Sequence, residues 1–552
     1  MSLRSDLPPS KSGSPVHWSG DVYDDLGVAL LVAALLLVCF LFKDYGITHD
    51  EAVQNEYGKM ILSYYTSFFQ DRSALEYLDL FHYGGFFDFL AAILNTFSPL
   101  GVFETRHLLG GVLGVVGLAG AWRLGRLLAG ERAGVLALIL LALTPPFWGH
   151  MFNNPKDAPF ASAMLWTTYY LCRLVHEAPT ASRSSRIGFG VALGIALGIR
   201  AGALLVLFYL GLGLALRLYG LFLRLRSFTV LKREGLAMLR TLIMPLAIAY
   251  GVMAVFWPWS YQGLLNPLLA LLGFSTLGIN IETIMNGQIY SAEHLPATYI
   301  PGYLAVTLPE IVLTGLGIGA VLFLLWLKDR RHGLAMPPGT MNLFLTALSA
   351  LFPLLLFVLM RPTAYNGLRH FLFVVPPLCV LAAVALDNVW ERLWAYKHEA
   401  GRAFTVVIMG MAVWLAWQMA MLHPHQYIYF NRLVGGVEGA DGKWEIDYWS
   451  NSLQEAAKSL ADFVQSEQEE LGGDAKTWKV TVCGHALSAY YYFPQQLVYT
   501  KKLDEADFMI MYTVADCQKK FEGRRIALIQ RFGVPLAIVK DRRYLSIHGE
   551  GR

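Results

Sequence analysis

The chain places two acidic segments where long apolar stretches end. Thr48-His49-Asp50-Glu51 follows Leu26–Phe42, an uncharged run long enough to cross a bilayer at about 1.5 Å per helical residue. Asn153-Asn154-Pro155-Lys156-Asp157 follows a second apolar run, Ala133–Trp148. Tracing the spans between them brings both segments to one membrane face. A carboxylate there is equipped to take a proton from a hydroxyl within hydrogen-bond reach. Asp50, Glu51 and Asp157 also offer oxygen ligands of the kind that hold Mg²⁺ or Mn²⁺. Lys156, Arg200, Arg361, Arg369 and His370 fall at the predicted outer ends of spans, where cations can stabilise negative charge that develops in a reaction.

Plainer readings stand beside these. An acidic residue often marks a helix N-terminus, as Asp50-Glu51 would for a helix starting near Glu51. Asp157 can cap the span it precedes, with Pro155 and Pro159 setting its entry. Each outer cation can be an interface residue whose stem lies along apolar surface. The adjacency of Lys156 and Asp157, level with Asp50 at a membrane face, weighs toward chemistry. Arg200 stands out because it interrupts an apolar run between Ile199 and Ala201; a short outer turn between two spans is its structural alternative. The histidines His49, His82, His150, His423 and His425 show no metal-site spacing.

The elements that must position these residues follow from hydropathy. Of 552 residues, 55% are hydrophobic and 15% charged, against roughly a quarter charged in soluble domains. This is the composition of a polytopic membrane protein, and a net charge of +3 gives no reason to invoke nucleic acid. About eleven spans are expected, near 26–42, 106–122, 133–149, 158–175, 187–200, 202–221, 240–258, 303–327, 341–360, 371–389 and 403–422. The segments assigned to the inside carry 20 of the 44 lysines and arginines, and the outer loops before residue 423 carry 8. That bias predicts a cytoplasmic N-terminus and an extracytoplasmic C-terminus. The expected domains are a cytoplasmic segment 1–25, a transmembrane domain 26–422 and a C-terminal domain 423–552. In the first outer loop, 43–105, Glu51–Phe69 and Phe81–Phe97 read as helices lying in the interface. In the tail, a helix over Ser452–Gln465 and strand-like runs at Lys479–Cys483, Phe508–Tyr512 and Leu536–Val539 predict a small α/β domain. Cys39, Cys172 and Cys379 read as core thiols. Cys483 and Cys517 can pair if the tail lies outside the cytoplasm.

With these features in order, the chain resembles the GT-C membrane glycosyltransferases, in the branch of the protein O-mannosyltransferases and lipid A aminoarabinose transferases (glycosyltransferase family 39-like). The resemblance rests on the acidic pair after the first span, the interfacial helices and the Asp157-Ala158-Pro159-Phe160 stretch. Arg123–Gly134, Ala142–Pro146, Gly194–Ala203 and Arg369-His370 leading into Val375-Pro376-Pro377-Leu378 also carry it. It covers about 1–422 and extends weakly to Asp447-Tyr448-Trp449.

The resemblance implies an all-α polytopic bundle of GT-C type in a cell inner (plasma) membrane, with its active site at the outer face. It implies an enzyme moving a hexosyl or pentosyl group, with inversion, from a polyprenyl-phosphate carrier to a glycan, lipid or protein acceptor among membrane lipids. Asp50 aligns with the family's catalytic acid. Glu51 and Asp157 are expected beside it, and Lys156, Arg200, Arg361, Arg369 and His370 on the donor phosphate. The second loop has one carboxylate and a lysine where the oligosaccharyltransferase branch has an Asp-x-Asp pair. That departure argues against an obligatory metal, with Mg²⁺ or Mn²⁺ remaining possible. The competing expectation is a transporter or flippase of a lipid-linked saccharide, which would place ionisable groups nearer the midplane of its spans.

Overall fold

The computed structural model describes residues 22–263, 265–273, 281–329, 338–471, 476–514 and 517–547. Most of the expected cytoplasmic segment 1–25 lies outside the described residues. The first elements run α1 (Val22–Leu41), α2 (Glu51–Thr66), α3 (Phe86–Asn95) and α4 (Val102–Ala129). They are followed by α5 (Glu131–Ala142), α6 (Pro145–Asn153), α7 (Asp157–Glu177), α8 (Arg183–Leu197), α9 (Leu205–Leu225) and α10 (Phe228–Phe256). After α11 (Asn266–Gly273) comes a hairpin of β1 (Glu282–Met285) and β2 (Gln288–Ser291). The helical part closes with α12 (Tyr299–Thr307), α13 (Glu310–Asp329), α14 (Pro338–Met360), α15 (Val375–Tyr396) and α16 (His398–Leu422).

Among the described residues, eight helical segments are long and apolar enough to cross a membrane, or nine if the bent pair α5–α6 is one span. The chain is a multi-pass membrane protein. The expected count of eleven is not reached because α7 and α8 fall short. α7 carries Thr167, Thr168 and Arg173 and packs against α4, α8 and α14, and α8 has 15 residues. A helix sheathed by protein does not need an apolar surface. The span expected over 303–327 is broken at Pro309, so α12 stays outside it. The basic stretch between the expected spans 202–221 and 240–258 is helical up to Leu225 and again from Phe228. Lysine and arginine are good helix formers and continue the helices beyond their apolar parts. α3 is a short apolar helix packed on α2, in keeping with its not crossing.

α15, preceded by a 3-10 turn at Arg369–Val374, is the most enclosed span and packs against α4, α5, α13, α14 and α16. α1, α10 and α13 lie at the periphery with mostly uncovered apolar faces, as lipid-facing helices require. Cys172 and Cys379 are buried, whereas Cys39 is exposed on α1, so only two of the three expected core thiols are in the core.

The tail forms a second, small α/β core. After a five-residue helix, α17 (Gly436–Ala440), the amphipathic α18 (Leu453–Leu471) covers a sheet of β3 (Trp478–Cys483), β4 (Leu497–Tyr499), β5 (Phe508–Tyr512), β6 (Arg524–Arg531) and β7 (Val534–Asp541). The order is β4-β3-β5-β7-β6, with β3 parallel to both β4 and β5 and the rest antiparallel. β4 and β6 escape the hydrophobic pattern because one is three residues long and the other begins with two arginines. Cys483 and Cys517 form a disulfide.

Candidate active site

The loop from Asp44 to Asp50 sets Asp50 at the start of α2. Glu51 accepts from the Thr48 backbone N–H at 2.8 Å and lies 3.0 Å from His107 Nε2 on α4. Its side chain is 1% exposed. The N-terminal role that elementary helix physics allows for an acid therefore falls to Glu51, and Asp50 is left to face outward. The Arg369 guanidinium donates to Asp50 Oδ2 at 2.9 Å. Burial opposes ionisation of Asp50, but the charges of Arg369 and Lys156 outweigh it and hold the carboxyl below its ordinary range. Arg369 is itself sandwiched between the rings of Tyr365 and Trp449, each 4.7 Å from the guanidinium carbon.

The second acidic segment is built by an Asx turn. Asn154 Oδ1 accepts from the backbone N–H groups of Lys156 and Asp157, and Asn154 Nδ2 donates to Asp157 Oδ2 at 3.0 Å. The other Asp157 oxygen accepts from Arg200. Lys156 makes no ion pair with a carboxylate among the described residues; its Nζ sits 4.0 Å from the centre of the Tyr83 ring. Burial pushes the Lys156 ammonium down to about 8, against the opposing pull of Asp88 and Asp50.

A backbone contact explains how Tyr83 arrives there. Gly84 and Phe86 donate to the carbonyls of Ile199 and Gly198, and a Cβ on Gly84 would lie 2.0 Å from the Gly198 oxygen. Only glycine permits this approach. It locks the loop between α1 and α4 to the segment carrying Arg200, whose guanidinium carbon lies 5.6 Å from the same Tyr83 ring.

Asp50, Lys156, Asp157, Arg200 and Arg369 thus form one cluster, with Glu51 beneath it. His370 lies within electrostatic reach of Arg369, Arg200 and Lys156 and stacks edge-on against Tyr365. Arg361 does not join them: it is exposed at the end of α14 and takes no part in the cluster's contacts. The carboxylates do not converge on a shared cation site. Asp50 faces Arg369, Glu51 faces His107 and Asp157 faces Arg200, and no group of three metal-type side chains forms among the described residues. This arrangement does not fit a divalent ion shared by the three.

Several residues of the site were not among those expected. The buried pair Arg106–Asp88, 2.6 Å apart, lies below Lys156. Asn451 ties three segments together: its Oδ1 accepts from the Gly46 N–H and from Asn153, while its Nδ2 donates to the Pro424 carbonyl and to His425. Tyr448 reaches His150 at 3.0 Å. Burial pushes Glu445 up to about 7. The available signal was the polar run Ser450-Asn451-Ser452, fully buried here, next to Asp447-Tyr448-Trp449.

Residues 91–261 match the family of dolichyl-phosphate-mannose-protein mannosyltransferases. Over that segment the chain resembles the protein O-mannosyltransferase branch of the GT-C glycosyltransferases. The matched segment holds Lys156, Asp157 and Arg200 but ends far short of Arg369 and begins after Asp50. No curated protein matches the chain. Among solved structures, ArnT from Cupriavidus metallidurans bound to undecaprenyl phosphate overlays with a TM-score of 0.46 at 16% identity, covering 94% of this chain and 98% of that one. Archaeal oligosaccharyltransferase AglB from Archaeoglobus fulgidus, in complex with an inhibitory peptide and a dolichol-phosphate, gives 0.45 at 13% identity, covering 90% and 70%. Overlays this loose support no residue correspondence.

Proposed function

We propose that the chain is an inverting glycosyltransferase that moves a hexosyl or pentosyl group from a polyprenyl-phosphate carrier to a hydroxyl of an extracytoplasmic glycan, lipid or protein. The observation that carries this reading is Asp50. Its carboxylate is kept ionised by Arg369 yet remains 40% exposed, beside an ammonium, Lys156, that lacks a carboxylate partner. In the proposed reaction Asp50 takes the acceptor proton as the hydroxyl oxygen attacks the anomeric carbon. The bond from that carbon to the phosphate oxygen breaks, and the lipid phosphate leaves with the pair, stabilised by Lys156 and Arg200. Arg369 orients Asp50, and Glu51 holds the loop that presents it.

The proposed reaction uses no metal-dependent step, since Lys156 and Arg200 supply positive charge for the leaving phosphate. The inner membrane, with a cytoplasmic N-terminus, is the proposed location. The Cys483–Cys517 disulfide supports a tail on the oxidising side.

The test is sugar release by purified protein from synthetic polyprenyl-phosphate monosaccharides, with wild type and Asp50→Asn, with and without a chelator. Turnover that survives chelation and disappears in the variant is the expected result. Turnover retained by Asp50→Asn removes the central assignment. A wild type inert toward every donor but active in moving a lipid-linked saccharide across proteoliposomes establishes a flippase instead.

A further inference from the structure

The active site proposed above is not formed by the membrane helices alone. β3 is flanked by two parallel strands, β4 on one side and β5 on the other. The chain leaving β3 turns toward β4, so the connections diverge at the carboxyl ends of β3 and β5. Open α/β sheets bind ligands at such switch points. Here that end of the sheet meets the loop that carries Asp50. The residue before it, His49, has its ring 5.1 Å from the His485 ring, just past the end of β3, and 6.2 Å from Tyr512, the last residue of β5. Gly484, at φ +137°, supplies the backbone turn that a side chain would resist and that aims the next residue, His485, toward the membrane domain. The Cys483–Cys517 disulfide ties the end of β3 to the chain five residues beyond Tyr512.

The hydrogen bonds around His485 fix which of its nitrogens is free. The Ile47 carbonyl can only accept, so the Ser488 hydroxyl donates to it at 2.5 Å. Ser488 Oγ must then accept from His485 Nδ1–H, 2.9 Å away. Burial lowers the His485 imidazole below its ordinary value, which keeps it neutral and leaves Nε2 as a bare acceptor. Asp50 and Glu51 both act electrostatically on this ring.

We propose that the C-terminal domain completes the acceptor side of the active site, with His485 Nε2 receiving a hydrogen bond from a hydroxyl of the acceptor while Asp50 meets the attacking one. The acceptor class this selects is a molecule with at least two neighbouring hydroxyl or other donor groups, as a sugar presents. The proposal rests on the transferase reading above.

The experiment measures both Michaelis constants with a synthetic undecaprenyl-phosphate sugar as donor and alkyl glycosides or serine peptides as acceptors. His485→Ala is expected to raise the acceptor KM about tenfold, the worth of one hydrogen bond, with the donor KM within about twofold. His485→Gln, whose side-chain carbonyl reaches the place of Nε2, recovers most of the loss. If His485→Ala does not accumulate, the Cys483→Ser/Cys517→Ser double variant frees the same loop and should give the same acceptor-selective rise. An unchanged acceptor KM, or equal changes in both constants, overturns the assignment of His485 while leaving the transferase reading intact. Wild-type protein that transfers to no acceptor from any donor overturns the transferase reading and this proposal with it.

Discussion

Asp50 with Arg369 and Asp157 with Arg200 are the same chemical pair built twice, and they are inverted in what they show to solvent. In the first, the carboxylate is 40% exposed and the arginine 5%. In the second, the carboxylate is 3% exposed and the arginine 19%. One pair offers its anion to solvent and buries its cation; the other does the reverse. An anion that is accessible and kept ionised can meet an acceptor proton. A cation that is accessible and held by a buried carboxylate can meet a phosphate. Formal charge and residue type do not separate the two pairs, and the partition of burial does. In the proposed reaction Asp157 acts through Arg200, which it holds in place.

The largest effect that sharpens this contrast is expected at Asp50. Asp50→Asn keeps a hydrogen-bond partner for Arg369 but cannot take a proton, so kcat/KM should fall about 10³-fold, within the range for loss of a general base. The melting temperature should stay close to wild type, because the side chain is open. Asp157→Asn is the mirror experiment. It leaves Arg200 without its counter-charge and removes a carboxylate that accepts from Asn154, so thermal unfolding should reveal a loss of about 1–3 kcal/mol, with the kinetic defect concentrated in the donor KM. Equal kinetic losses with unchanged melting in both variants would break the comparison.

The same contrast shows where sequence reasoning reached its limit. Asp50, Lys156, Asp157, Arg200 and Arg369 were legible because each interrupts or ends an apolar run, and a charge at such a boundary is visible without coordinates. The spans were legible for the same reason, except where protein rather than lipid surrounds a helix, as at α7. The buried neutral groups left no such mark. Asn451 and Ser450 look like ordinary loop residues, and their importance lies in contacts with residues about 300 to 400 positions away. In the sequence Glu51 is only the neighbour of Asp50. The helix turn separates them, burying one carboxylate and leaving the other open. The tail's place over the site was likewise invisible, since no local pattern encodes where a small sheet docks.

Lys156 tests the cationic half of the comparison at smaller amplitude. Its pKa is lowered to about 8 from 10.5, so the ammonium is charged below pH about 8 and loses its charge above it. The donor kcat/KM, which reports the free enzyme, should therefore fall as pH rises through about 8, approaching tenfold per unit. Lys156→Arg should abolish that fall, since a guanidinium stays charged throughout. A phosphate bound beside Lys156 stabilises the ammonium, so kcat should hold to higher pH than kcat/KM. A donor profile flat from pH 7 to 9.5 in wild type would remove Lys156 from phosphate binding and leave Arg200 as the cation of that half.

The smallest effect is expected at Arg361, and its smallness is the point. By sequence it matches Arg369: both are arginines in the loop between α14 and α15, at the outer face. The structure puts Arg361 in the left-handed region, at φ +49°, exposed and apart from the cluster, whereas Arg369 is buried between two rings. Arg361→Ala should change donor and acceptor constants by less than about twofold and stability by no more than about 0.5 kcal/mol, as for an isolated surface side chain. Arg369→Ala in the same assay should lower the donor kcat/KM strongly, because it removes the charge that keeps Asp50 ionised and the donor that orients it. A donor defect in Arg361→Ala comparable to that of Arg369→Ala would mean that the loop closes over the bound carrier and brings Arg361 in. The inverted pairs would then describe only the open form of the site.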